Sequence, residues 1–268
     1  MKVTYLHNTI KVVKIGGNVV DNESMLEAFC KDFAALEGPK VLVHGGGVMA
    51  SSIQQALGQT PVKIEGRRVT DEDTVKVVTM VYAGWCNKHI TALLQGFGCN
   101  AIGLSGCDAS VIRARKRAPR TLSDGVTQVD YGFVGDVKGE SVNAEMVQKL
   151  LDMGLTPVFC AINHDGKGNL LNTNADTIAS SVAIALRAEL LLCFEKKGVL
   201  MDKNEENSVI PHIDLAYYHT LKEQGIVDEG MLPKLENAFK ALREGAKRVV
   251  IRSSQGLSDG SGTVISLG

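Results

Sequence analysis

The chain has 268 residues, 44% of them hydrophobic and only 5% aromatic, enough to bury a large core in one α/β domain or two closely joined lobes. Lys and Arg number 29 against 30 Asp and Glu, a balance that excludes a global field drawing in nucleic acid or an anionic membrane. The six cysteines form no Cys-x-x-Cys pair and read as reduced core thiols rather than a zinc site. No apolar run approaches the roughly 20 residues of a membrane span, and the N-terminus lacks a secretory pattern. The expectation is a cytoplasmic protein whose partners are small molecules or a second copy of itself.

Short β-branched runs alternate with longer helical patterns, the signature of strands joined by helical crossovers in a mostly parallel sheet. Residues 12–15 form the first expected strand, and Lys14 near its end is followed at once by Gly16-Gly17. A helix is expected over 25–36, a second strand over 41–44, then Gly45-Gly46-Gly47 and a helix over 48–57. Ligands in open α/β sheets bind beyond the carboxyl ends of the strands, so the two glycine loops are expected to face one crevice.

Gly66-Arg67-Arg68-Val69-Thr70 leads into a long helix over about 71–95, with Thr70 and Asp71 as cap candidates. A strand over 101–104 follows. Residues 111–137 carry Arg113, Arg115, Lys116, Arg117 and Arg120 ahead of Gly125, Gly132 and Gly135, a pattern expected to form a solvated β-hairpin excursion. A short helix over 146–153 ends at Gly154, and a strand covers 157–162. Asn172-Thr173-Asn174-Ala175-Asp176 then opens a helix with Asp176 in its first turn. From 190 onward the expected order is strand (190–194), loop, one helix, strand (249–251) and a glycine-rich end.

Lys14 and Lys234 carry the chemistry. Each is set against glycine, the second after Gly230-Met231-Leu232-Pro233. A cation just inside a helix N-terminus is disfavoured by the dipole unless an anion is nearby. Two ammonium groups beside glycine loops, whose backbone amides can hold mobile negative charge, point to phosphoryl transfer. The chain has no P-loop and no protein-kinase glycine loop. His44-Gly45-Gly46-Gly47 with Gly256-Leu257-Ser258-Asp259-Gly260 imitates the oxyanion loop and nucleophile elbow of an α/β-hydrolase. In that fold an acid and a histidine follow the serine, and neither follows Gly260. Arg68 offers a planar guanidinium for two-point capture of a carboxylate. Asn172 and Asn174 suit turn and cap roles as well as ligand contacts. Asp176 is placed to bond both ammonium groups and hold them aimed.

Taken in order, Lys14-Ile15-Gly16-Gly17, Val43-His44-Gly45-Gly46-Gly47, Gly66-Arg67-Arg68-Val69-Thr70, Gly132-Phe133-Val134-Gly135, Asn172-Thr173-Asn174-Ala175-Asp176 and Gly230-Met231-x-x-Lys234 resemble the amino acid kinase family over about residues 12–263. The resemblance implies an open, mostly parallel sheet sandwiched by helices. It implies a single domain over 1–268, with an acceptor-binding half of about 1–188 and a nucleotide-binding half of about 189–268. Arg68-Val69-Thr70 with Asn172-x-Asn174-Ala175-Asp176 is most similar to members that phosphorylate the side-chain carboxylate of an N-acylated glutamate, N-acetyl-L-glutamate, in arginine biosynthesis. By that resemblance Lys14 and Lys234 stabilise the transition state and Asp176 organises them. Gly45, Gly46, Arg68 and Asn172 bind the acylglutamate. Gly16, Gly17, Glu195, Gly198, Gly230 and Met231 contact ATP, with Mg²⁺ bound through the nucleotide. A sibling activity on N-succinylglutamate, glutamate, aspartate, carbamate or a nucleotide is the alternative.

One departure stands out. Relatives usually carry Ser/Thr-Asp-Val-x-Gly where this chain has Phe194-Glu195-Lys196-Lys197-Gly198. Arginine-inhibited relatives also carry an extra N-terminal helix that links dimers into a hexamer, whereas residues 1–10 alone precede the first strand here. The expected assembly is therefore a homodimer little affected by arginine, joined through the 71–95 segment with Val78 and Trp85 as contact candidates.

Overall fold

Eight short apolar runs pair into one sheet in the computed structural model, which describes residues 9–122, 124–227, 230–257 and 259–268. Residues 1–8 of the N-terminal segment, and Ser258 of the elbow-like run, lie outside the described residues. The strands are β1 (Lys11–Ile15), β2 (Lys40–His44), β3 (Ala101–Leu104), β4 (Thr156–Phe159), β5 (Glu189–Phe194), β6 (His212–Ile213), β7 (Arg248–Ser253) and β8 (Thr263–Ile265). Their order across the sheet is β6-β8-β7-β5-β1-β2-β4-β3. Every neighbouring pair is parallel except β7 with β8. Val12, Val13, Val41, Leu42 and Val43 are all fully buried, so both faces of the central strands are covered, as a parallel sheet requires.

The helices are α1 (Gly17–Val20), α2 (Glu23–Ala35), α3 (Gly47–Ala56), α4 (Glu72–Thr79), α5 (Asn87–Gly96), α6 (Ala144–Asp152), α7 (Ala175–Ala185), α8 (Leu215–Glu223) and α9 (Leu232–Arg243). Asn22, Asp71, Asn143 and Asp214 cap α2, α4, α6 and α8 with side-chain oxygens that accept helix amides, the preferred chemistry for a helix start. Helix α7 packs across β1, β2 and β5. In α2 the Phe29 and Phe33 rings stack at 5.8 Å inside the core.

The chain expected as one strand over 157–162 divides. Strand β4 ends at Phe159, and Ile162–His164 leaves the sheet to pair with Leu170–Asn172 in a hairpin. That excursion delivers Asn172 to the carboxyl end of the sheet. Past β5, two helices replace the single one expected, because α8 ends at Gln224-Gly225 before α9 begins. The long segment over 71–95 is continuous but changes pitch, with a π-helical turn, Met80–Cys86, between α4 and α5. The excursion over 111–137 is a hairpin as expected, with Arg115–Lys116 paired to Gly135–Asp136 and Arg120–Thr121 to Gln128–Val129. Val78 is fully buried, so it packs within its own chain and is no dimer contact, whereas Trp85 is 61% exposed.

Strand order reverses at β1, whose neighbours are β5 on one side and β2 on the other. The loops that follow these strands therefore open a crevice at the carboxyl edge, where α/β sheets bind ligands. Gly132 anchors one side of it. Its φ is +72°, and a Cβ there would meet the Thr70 carbonyl oxygen at 2.3 Å. Glycine alone lets the 131–133 segment lie against Thr70, which donates to Tyr131 O at 2.9 Å.

Candidate active site

Lys14 lies in the central strand and is 6% exposed, a position that would cost several kcal/mol for an unpaired cation. Asp176, carried by the first turn of α7, pairs with it at 2.8 Å from Nζ to Oδ1. Asn174 caps that helix, its side chain accepting from the amides of Asp176 and Thr177, which fixes the turn that carries Asp176. Lys234 enters from the first turn of α9, next to Pro233. Phe194, at the end of β5, stands beside both lysines: its ring centroid is 5.1 Å from Lys14 Nζ and 4.0 Å from Lys234 Nζ.

The two glycine loops touch. A Cβ on Gly17 would lie 3.5 Å from Gly47 N and 3.5 Å from Asp21 Oδ2. Asp21 ends α1 with its carboxyl buried against the start of α3, where burial pushes its pKa up and the amides of Met49 and Val48 partly offset that. One on Gly46 would lie 3.0 Å from Tyr82 Cδ1 and 3.1 Å from Cys86 Sγ, so a side chain there would displace the π-helical turn from beneath the loop. His44 fixes the loop from below. Its Nδ1 donates to Gly45 O at 2.7 Å and its Nε2 accepts from Asn87 Nδ2 at 3.1 Å. Complete burial pulls the imidazole pKa down to about 4, so the ring is neutral, which fixes those donor and acceptor roles.

Two cavities open at this edge and meet. One, of about 260 Å³, is lined by both glycine loops with Arg68, Asn172, Tyr82 and Lys63. The other, of about 310 Å³, is lined by Phe194, Glu195, Lys196, Gly198, Met231 and Lys234. Lys14, Gly16, Gly17 and Asp176 line both. A buried ammonium and two glycines thus stand on the wall that the two cavities share.

Most of the expected site residues come together here, with three adjustments. Arg68 is not a free two-point fork: it donates to Gln54 Oε1, to Gly47 O at 2.7 Å and to Ser51 Oγ at 2.7 Å. Three of its five N–H groups are thereby committed, including both on Nη2, which locks it to the second glycine loop and α3. Arg117, expected in the solvated hairpin, instead lines the first cavity and pairs with Asp136, its side chain only 14% exposed. The ladder of Arg115–Lys116 with Gly135–Asp136 turns it inward, while Arg115, Lys116 and Arg120 stay exposed as expected. Gly230 precedes the start of α9 and is absent from the cavity wall, unlike Met231.

Asn172 donates from Nδ2 to Thr70 Oγ1 at 3.1 Å. Glu195 accepts from Asn18 Nδ2 at 2.6 Å, tying the first glycine loop to the loop after β5. Arg67 also lines the first cavity, and burial, reinforced by the charges of Arg117 and Arg120, holds its pKa below the usual guanidinium value. Tyr82, Lys63, Arg117, Phe194 and Asn18 are site residues that sequence reasoning did not assign.

The chain is similar to known proteins in sequence and in fold. A profile of the amino acid kinase family matches residues 9–253. The chain is 49% identical to the acetylglutamate kinase of Phocaeicola vulgatus over 96% of its own length and 98% of that protein. It is 48% identical to the acetylglutamate kinase of Parabacteroides distasonis over 94% of its length and 97% of that protein. Among solved structures, the N-acetylglutamate synthase of Neisseria gonorrhoeae, complexed with coenzyme A and N-acetyl-glutamate, superposes with a TM-score of 0.78 at 23% identity, covering 97% of this chain and 60% of that one. That last likeness concerns the fold.

Proposed function

The chain belongs to the amino acid kinase family, and from that membership and the two joined cavities we propose that it is an ATP-dependent kinase for N-acetyl-L-glutamate. It phosphorylates the side-chain carboxylate to an acyl phosphate, a step of arginine biosynthesis. The observation that carries this reading is the junction at Lys14, Gly16, Gly17 and Asp176, shared by an arginine-bearing cavity and a lysine-bearing one.

No general base is needed. A side-chain carboxyl with a pKa of about 4.3 is already ionised at neutral pH, so the barrier is repulsion between anions. Arg68 and Asn172, with the amides of Gly45 and Gly46, hold the acceptor in the first cavity. The amides of Gly16 and Gly17 face the transferring phosphoryl group, Lys14 neutralises its equatorial charge, and Lys234 stands on the leaving side. Asp176 acts through Lys14, which it orients.

The nucleotide cavity suits a polyphosphate, since Lys14, Lys196, Lys234 and three glycines are on its wall. Among the described residues no cluster of three His, Cys, Asp or Glu side chains could hold a metal ion. Mg²⁺ would come carried on the phosphates, where it would supply charge neutralisation. The sheet runs unbroken from β3 to β6, which supports one domain with an acceptor half of about 1–188 and a nucleotide half of about 189–268. No helix among the described residues is long and apolar enough to cross a membrane; the assigned setting is cytoplasmic. The assigned assembly is a homodimer. Met80 and Trp85, exposed by 59% and 61% on one π-helical turn, support a two-fold contact there.

ADP release over a panel of N-acetylglutamate, N-succinylglutamate, glutamate, aspartate and carbamate tests the assignment. N-acetylglutamate should give the highest kcat/KM. Glutamate, which puts a cationic amine where the acyl amide should sit, should be poor. Faster turnover of glutamate or aspartate would move the chain to a sibling activity.

A further inference from the structure

Asp21 is a charged group buried beside the junction that the reaction described above does not use. It follows the one-turn helix α1 directly, its amide donating to Gly17 O at 2.8 Å, and it lies on neither cavity wall. Both carboxylate oxygens are shielded from solvent, and neither completes a hydrogen bond among the described residues. What faces them is the start of α3, through the amides of Val48 and Met49, with the side chains of Tyr82 and Cys86 nearby. Burial raises the pKa of both those groups, which keeps them neutral. A buried carboxylate in this condition costs stability and calls for an explanation.

Helix α3 supplies one. Helices α2, α4, α6, α7 and α8 each begin at a residue whose own side chain accepts a helix amide, whereas α3 begins after Gly46, which has no side chain to do so. The first amides of a helix carry partial positive charge, and Asp21 answers it from another segment. That same helix is the one Arg68 grips, through Gly47 O and Ser51 Oγ. Asp21 therefore stands between two loops with different tasks in the proposed reaction. Gly17, on the shared wall, is bonded to its backbone, and Gly47, held by Arg68, opens the helix that its charge faces. A Cβ on Gly17 would lie 3.5 Å from both Asp21 Oδ2 and Gly47 N, so the three groups meet within one contact.

We infer that Asp21 is a positioning residue, whose charge draws the start of α3 against the first glycine loop and so sets the spacing between the phosphoryl-facing amides and the acceptor's grip. The inference rests on the kinase reading above. Burial raises the Asp21 pKa, so the folded chain resists an ionisation that the unfolded chain accepts, and at neutral pH the carboxyl opposes folding. A purely structural role here would be better filled by asparagine, which offers the α3 amides an oxygen with no charge to bury. Charge retained at the expense of stability fits a group that serves the reaction.

The test is Asp21→Asn and Asp21→Ala in the full chain, read by steady-state kinetics, by calorimetric binding of N-acetylglutamate and of ADP one at a time, and by thermal melting at neutral pH. Asp21→Asn keeps the shape and removes the charge. It should lower kcat by about 5- to 30-fold, the range for a charge set against a helix terminus. The Kd of each ligand alone should stay within about threefold of wild type, and the melting temperature should equal or exceed that of wild type. Asp21→Ala should be no more active than the asparagine variant and should melt lower, because it also loses packing.

A wild-type kcat in Asp21→Asn would overturn the inference. So would a lower melting temperature in that variant, which marks a structural cap, or a tenfold loss of affinity for either ligand alone, which marks a role in one cavity. Wild-type enzyme that released no ADP with N-acetylglutamate would sink the kinase assignment instead. The same comparisons would then be made with whichever acceptor of the panel it uses.

Discussion

At the residue scale the proposed mechanism separates charge that acts on the reaction from charge that holds the acceptor. Lys14→Ala and Lys234→Ala should each lower kcat by about 10²- to 10³-fold, as loss of a preorganised electrostatic contact does, while leaving the acceptor KM nearly unchanged. A near-wild-type kcat at saturating substrate would remove that lysine from the mechanism. Arg68→Lys should act the other way, raising the acceptor KM by roughly 1–3 kcal/mol of lost binding and sparing the ATP KM. A lysine can reproduce neither the planar spread of N–H groups nor the paired bonds to Gly47 O and Ser51 Oγ. Equal effects on both substrates would indicate a disturbed α3 rather than a lost contact. Lys14 was legible in the sequence because a cation ending an apolar strand is anomalous unless it has work to do, whereas Arg68 and Asp176, the latter an acid of the kind a helix start favours in any case, were legible through the motifs that contain them. Phe194, Tyr82 and Arg117 were not. An aromatic in an apolar strand, a tyrosine inside a helical pattern and one arginine among five clustered cations are each explained by packing or solvation, and only the fold turns them toward the cavities.

At the element scale the second glycine loop depends on a neutral histidine beneath it. An imidazole free in the unfolded chain titrates near 6.5, whereas burial holds that of His44 at about 4. Between these values the unfolded chain binds a proton that the folded one refuses. The contribution is therefore fully present above pH 6.5 and is lost as pH falls toward 4, by up to about 3 kcal/mol. Melting temperature should fall from pH 7 to pH 5 more steeply for the wild type than for His44→Gln. Parallel slopes would mean that carboxylates, not His44, set the acid limit. Gly46→Ala should lower kcat or melting temperature through its contact with Tyr82 and Cys86, and full activity with full stability would show that the π-helical turn gives way freely. Strands β1, β2, β3 and β5 were readable to within a residue from their short apolar runs. The break after Phe159, the change of pitch at Met80 and the separate helix α8 were not, because each is set by what the segment packs against rather than by its own periodicity.

At the scale of the whole molecule, strand order brings residues 14, 45, 68, 176, 194 and 234 to one edge from sequence positions more than two hundred residues apart. The alternation of strands and helices made the sheet class legible, and the glycine loops marked its active edge. Which cavity each loop would serve, and that the two cavities share a wall, could not be read from spacing, since both depend on the reversal of strand order at β1. The exposed pair Met80 and Trp85 belongs to this scale as well. Trp85→Glu should shift light scattering from dimer toward monomer, and an unchanged mass would place the two-fold contact elsewhere. The shared wall makes the strongest claim, that the γ-phosphoryl group passes directly to the acceptor's side-chain carboxylate. Phosphorus NMR of the product formed from ATP and N-acetylglutamate labelled with ¹⁸O in that carboxylate tests it most directly. The predicted result is an acyl phosphate with ¹⁸O in the bridging position. ADP formed without such a product would contradict it.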